Sequence, residues 1–243
     1  MISKKIRCSL CLLALLFLMH PIYGQDAKDT SKPTNIYSQI DHFLEYNHSP
    51  RGEMFSYNPR ISYTLDDAYL LVMDLPYRFH SSKNVAGLGD PKIRYFYVPY
   101  KDDSKIISSM GLSLNITLPL GNTKFGLGDG SLKIATGIML GYIANRSKSI
   151  SFFPTISYQY ISKKHPENSI EEVFHGINIE LLSSIVINDD IFIQIKPIID
   201  IEDINNFSHQ EFSLEIEPVI NICNGKFQVG TYYKGVFQKQ SIQ

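Results

Sequence analysis

Hydrophobic and polar residues alternate with a period of two along most of this chain. In the segment 210–222, Phe212, Leu214, Ile216, Pro218, Ile220 and Ile222 share one parity. Glu211, Ser213, Glu215, Glu217 and Asn221 share the other, with only Val219 out of type. Successive side chains of a strand point to opposite sides, so this stretch predicts a strand with one aliphatic face and one charged face. The same pattern occurs in 191–202, 109–119 and 149–162. It recurs with more exceptions in 55–65, 69–79, 92–100, 132–144, 173–187 and 226–237, and most weakly in 36–46.

Length separates two kinds of strand protein. The segments run to about 10–14 residues, whereas strands of water-soluble proteins average about 5–6 and a tilted strand crossing a bilayer needs about 9–11. The connections add to this. Short polar turns are expected at 66–67, 101–104, 145–147, 188–190 and 223–225, alternating with longer loops at 47–53, 80–90, 121–130, 163–172 and 203–209. Tight turns at one end and long loops at the other are a feature of outer-membrane barrels. The expected fold is therefore an all-β, antiparallel up-and-down transmembrane β-barrel of 10–12 strands over residues 36–243. Eleven segments are odd where such barrels usually have an even number, so either 36–46 is not a strand or a twelfth is irregular. Pro59, Pro154, Pro197 and Pro218 fall inside strands, where each removes a ladder hydrogen bond; bulges are one way to absorb them, and the prolines weigh against closure.

The N-terminus changes the picture from a barrel to an exported one. Lys4, Lys5 and Arg7 precede an apolar run of 12 residues from Cys8 to Met19, followed by Pro21, Gly24 and Gln25. This is the layout of a cleaved signal peptide over 1–24, too short for a membrane-spanning helix, with 25–35 as a short disordered lead. Removal of the three basic residues leaves 20 Lys and Arg against 24 Asp and Glu, a net charge of −4. No basic patch suited to phosphates remains, which excludes nucleic acid as an expected partner. Cys223 is the one cysteine left after cleavage, so neither an intramolecular disulfide nor a cysteine metal site is expected. No cofactor is implied, and the expected partners are outer-membrane lipid and a small-molecule solute, with the chain a monomer.

The middle of the chain carries a more specific pattern. Tyr63-Thr64-Leu65-Asp66-Asp67 precedes Leu75-Pro76-Tyr77, then come Gly87-Leu88-Gly89-Asp90, Lys92-Ile93-Arg94-Tyr95 and Leu118-Pro119-Leu120-Gly121. In that order these resemble a family of outer-membrane transporters named for the MetA pathway of phenol degradation. The similarity spans roughly 36–160 and departs from the family at Thr64 and Leu120. The resemblance implies a barrel and the passage of a hydrophobic compound, and it transfers no mechanism.

Candidate chemistry lies mainly on the polar parity. Arg60, Asp74, Arg78, Lys92, Arg94, Lys133, Glu180, Lys196, Asp200, Glu202, Glu215, Glu217 and Lys234 would point into a barrel's interior. They would line either a water-filled selective lumen or a narrow interior filled by paired side chains. Gly-Leu-Gly-Asp occurs at 87–90 and again at 126–129. Asp90 and Asp129 are expected to cap turns rather than ligate a cation, since calcium takes about 6–8 oxygens. His80 beside Ser81 and Ser82, and His175 with Ser183, show no spacing diagnostic of a hydrolytic site, so no enzyme activity is expected. Tyr63, Tyr77, Phe79, Tyr95, Tyr97, Tyr142, Tyr158, Tyr160, Tyr232, Tyr233 and Phe237 lie near segment ends and suggest aromatic girdles at two membrane interfaces. The functional expectation is a transporter-like channel for small molecules, hydrophobic ones included, in the cell outer membrane. The alternative is a non-transport barrel, either a surface structural protein or a lipid-processing enzyme.

Overall fold

The computed structural model describes residues 36–49, 52–144, 149–164, 171–206, 208–222 and 227–240. The signal peptide and lead expected at 1–35, the turn at 145–147 and Cys223 lie outside them. The strands are β1 (Gln39–Ser49), β2 (Gly52–Thr64), β3 (Tyr69–Asp74), β4 (Tyr77–His80), β5 (Val85–Leu88), β6 (Lys92–Lys101) and β7 (Ile107–Thr117). They continue as β8 (Ser131–Ile143), β9 (Ile150–Lys164), β10 (Glu171–Val186), β11 (Ile191–Asp203), β12 (Ser208–Ile222), β13 (Phe227–Gly230) and β14 (Tyr233–Gln240). The one helical element among the described residues is a 3₁₀ turn, Thr123–Phe125, so any membrane crossing by them would use strands.

All strands join a single antiparallel sheet, and the chain winds through it as a meander. Three of its positions are broken strands. β2 pairs with β3 along one half and β4 along the other, the two parting at Leu75-Pro76. β5 and β6 are the halves of the next position, separated at Gly89–Pro91, and β12 pairs with both β13 and β14. Merging these halves leaves eleven positions, among them 36–46, which forms β1 and pairs with β2 from Gln39 to Ser49.

Turn chemistry explains the short connections. Asp66 Oδ1 accepts the amides of Ala68 and Tyr69, Asn188 Oδ1 those of Asp190 and Ile191, and Asp102 Oδ1 that of Ser104. Each acidic or amide side chain thus replaces the backbone partner that a reversing chain loses.

Two expectations need correction. Long and short connections do not alternate: β1 and β2 reach Ser49 and Gly52, and β5 occupies much of the expected 80–90 loop. The glycines and Asp90 read as loop residues, but Gly87 remains in register with Arg78, and only Gly89–Pro91 interrupts pairing. The longest connection is 118–130. Nor do bulges sit at Pro59, Pro154, Pro197 and Pro218, which hold their register. The shifts occur at 97–100, around Pro99, at 107–109, and between Phe212 and Ser213.

The sheet is strongly curled without being closed. Eight strand-to-strand steps separate β2 from β12, roughly 40 Å if flat, yet Glu217 of β12 lies within electrostatic reach of Arg60 of β2 and Asp41 of β1. Lys92 of β6 likewise feels Lys196 and Glu180 from β11 and β10. Only a sheet rolled with this face inward brings such charges together. No backbone pairing joins β1 to β13 or β14 among the described residues.

Candidate functional site

Directly opposed residues of antiparallel strands share a face, so the register traces which side chains meet. One row runs Asp41, Arg60, Asp74, Lys92, Thr117 and Lys133 across β1, β2, β3, β6, β7 and β8. Glu180 opposes Ile198, Asp200 opposes Asn178, and Lys196, Glu215 and Lys234 are aligned across β11, β12 and β14. Arg78 in β4, Arg94 in β6, Glu202 in β11 and Glu217 in β12 have the same parity. All the charged residues singled out by sequence therefore share the inward face.

On that face they form separate ion-pair groups. Asp74, whose side chain is 8% exposed, accepts Nε of Arg60 at 2.6 Å and Nη2 of Arg94 at 2.8 Å. Glu202 holds Lys133 at 3.2 Å and Lys163 at 2.8 Å. Glu215 holds Lys196 at 2.6 Å, and Lys234 bridges to Glu211 at 3.2 Å. Gln159 donates to Asp200 at 2.5 Å. Lys92 keeps accessible surface on the inward side while packed among charges from across the sheet.

Sequence reasoning missed Asp41 and Lys163, and it put Glu211 and Gln159 on the polar parity without singling them out. The first belongs to the weakest segment, and Lys163 stood in an expected loop. Its parity with Gln159 would have found it had the strand been extended to Lys164.

The two faces of the sheet differ in character. The inward face buries a mixture: Ser56, Ser62, Asp74, Ser109, Ser131, Ser151, Ser157, Gln159, Ser184 and Ser213, together with Val72, Phe153, Ile161, Phe192 and Ile198. The opposite parity exposes Ile61, Leu71, Leu112, Ile138, Leu140, Ile156, Ile179, Leu181, Ile199 and Ile220. Val219, the one apolar residue on the charged parity of β12, is 6% exposed, as its inward direction requires.

Aromatic side chains bracket this aliphatic band. Toward the end of the sheet that bears 118–130 lie Tyr46 against Phe55 at 4.9 Å, Tyr160 against His175 at 5.9 Å, and Phe212 against Phe237 at 5.8 Å between ring centres. Toward the other end lie Tyr69 against Tyr97 at 4.7 Å and Tyr142 against Phe152 at 6.3 Å, with Tyr63 exposed nearby. On β10 to β12 the second end carries Ile187, Ile220 and Ile222 instead.

The two Gly-Leu-Gly-Asp motifs meet each other. Asp90 accepts the amide of Gly121 at 2.8 Å with Oδ1 and that of Asp129 at 2.6 Å with Oδ2. Arg78 donates to the carbonyl of Leu127 at 3.0 Å. Asp90 thus caps backbone amides as expected, but of a distant loop. Among the histidines, His80 Nδ1 lies 3.1 Å from Ser82 Oγ within a turn. His175 Nδ1 is 2.5 Å from the Tyr158 hydroxyl, while Ser183 is opposite Phe152 near the other end of β10. His175 and Ser183 are not brought together. No protein-family model and no curated protein matches the chain.

Proposed function

We propose that this protein is an exported outer-membrane β-barrel that lets small solutes pass along its charged interior. The observation that carries the reading is the contrast between the faces: a band of aliphatic side chains is exposed outward between aromatic ends, while the ion pairs and buried serines lie inward beside a smaller set of apolar residues. An exposed half-buried Ile or Leu sacrifices on the order of 1 kcal/mol in water, and a whole band of them is stable only against apolar surroundings. Lipid supplies those surroundings, and a strand can enter lipid only where its backbone is paired.

Closure belongs to the proposal. Eleven antiparallel positions leave β1 and β14 running in the same direction, so their edges would join as a parallel pair. Their approach is supported by the proximity of Tyr232 to Glu45 and of Glu217 to Asp41. Passage through the interior is supported by the accessible surface that Lys92 keeps on the inward side, beside wall residues of both charges. The resemblance of 36–160 to outer-membrane transporters makes small hydrophobic compounds the first solutes to try. Purified protein in planar bilayers should give reproducible single-channel steps, and a folded, inserted protein that stays silent would contradict the channel.

A further inference from the structure

The 118–130 connection leaves β7 and returns to β8, yet its contacts are made one and two positions away, on the inward face of the β4–β5 hairpin. Leu127 is 2% exposed, and a Cβ placed on Gly87 would lie 3.0 Å from its Cδ1. Gly87 opposes Arg78, whose guanidinium holds the Leu127 carbonyl, so both grip the loop from the inner side. Asp90 fixes the loop's two stems through the amides of Gly121 and Asp129.

The stems touch backbone to backbone. A Cβ on Gly121 would sit 2.6 Å from the Cα of Gly128, and one on Gly128 would sit 2.5 Å from Asp90 Oδ1. Gly126 and Gly130, at φ of 75° and 69°, take the left-handed turns that lead the loop in and out. The repeated motif is therefore two halves of one latch: the first copy supplies the carboxylate, the second the glycine and amide that it receives.

We infer that the latched 118–130 loop sets the size limit for solutes at this mouth of the interior. The inference rests on the channel reading above. A loop crossing the inward side of two strand positions narrows the opening, and its attachment through one carboxylate and one guanidinium makes it releasable without disturbing the strands.

The test uses Asp90→Ala and the milder Arg78→Gln in full-length protein, with folding of each checked by its unboiled gel migration. Two readouts are taken. Leu127→Cys, in a Cys223→Ser background, reports by maleimide labelling whether the loop is seated. Graded polyethylene glycols in planar bilayers report the size limit. Seated, the thiol labels slowly; Asp90→Ala should accelerate labelling roughly tenfold, as expected for a segment that opens locally. Conductance should rise roughly twofold with larger polymers admitted, and Arg78→Gln should fall between. Unchanged labelling in a folded variant overturns the latch. Accelerated labelling with an unchanged polymer limit overturns the size-setting role. Silence from the folded parent and both variants removes the channel reading itself, and the inference with it.

Discussion

Single residues on the inward face carry their charge in company, and Asp74 shows what that company is worth. Its carboxylate is nearly enclosed and joins two guanidiniums that would otherwise repel each other across β2 and β6. Removing one partner of a buried ion pair costs about 3–5 kcal/mol, and the partial exposure of both arginines places this site toward the lower bound. Asp74→Ala should therefore destabilise the protein by about 3 kcal/mol in urea titrations from lipid, with Asp74→Asn costing less because its carbonyl still accepts one bond. Equal stability of Asp74→Ala and the parent would mean that the arginines are hydrated and the group is not structural. Serines complete the lining. The buried oxygens of Ser56, Ser109, Ser131 and Ser184 have no hydrogen-bond partner among the described residues.

The strand is the scale at which the sequence was most legible, because period-two alternation survives tertiary context. The segments around 191–202 and 210–222 became β11 and β12 with their charged parity inward, down to the misfit Val219 turned to the buried side. Breaks were less visible. Leu75-Pro76 reads as ordinary strand residues, and prolines elsewhere keep their register, yet the strand parts into β3 and β4 there. The loop that latches to Asp90 was not legible at all. Its two motifs are separated by β6 and β7, and local spacing does not encode which distant amides a carboxylate receives. The assignment of faces yields a paired test on adjacent residues of β10. Ile179, 43% exposed, faces outward, and Asn178 lies inward opposite Asp200. Ile179→Arg should cost about 2–4 kcal/mol of folding stability in lipid if it sits near the bilayer midplane, while Asn178→Arg, facing an acid, should cost little. Equal penalties would remove the basis for the two faces.

For the whole molecule, the open question of chemistry is the meeting of its first and last edges. An unpaired edge exposes a row of amides and carbonyls, which lipid does not tolerate. Glu45→Cys together with Tyr232→Cys, in a Cys223→Ser background, should be joined efficiently by a short bifunctional thiol reagent in the membrane-inserted protein. Absence of the crosslink from folded protein would separate the edges and contradict a rolled, seamed sheet. Everything from the seam to the latch depends on the outward aliphatic band meeting lipid. The most direct measurement expresses the chain with its own N-terminus in a Gram-negative host and follows it through fractionation. We expect it in the outer-membrane pellet, retained after a urea wash, and released only by detergent. Recovery of the folded chain in the detergent-free soluble fraction would contradict the account.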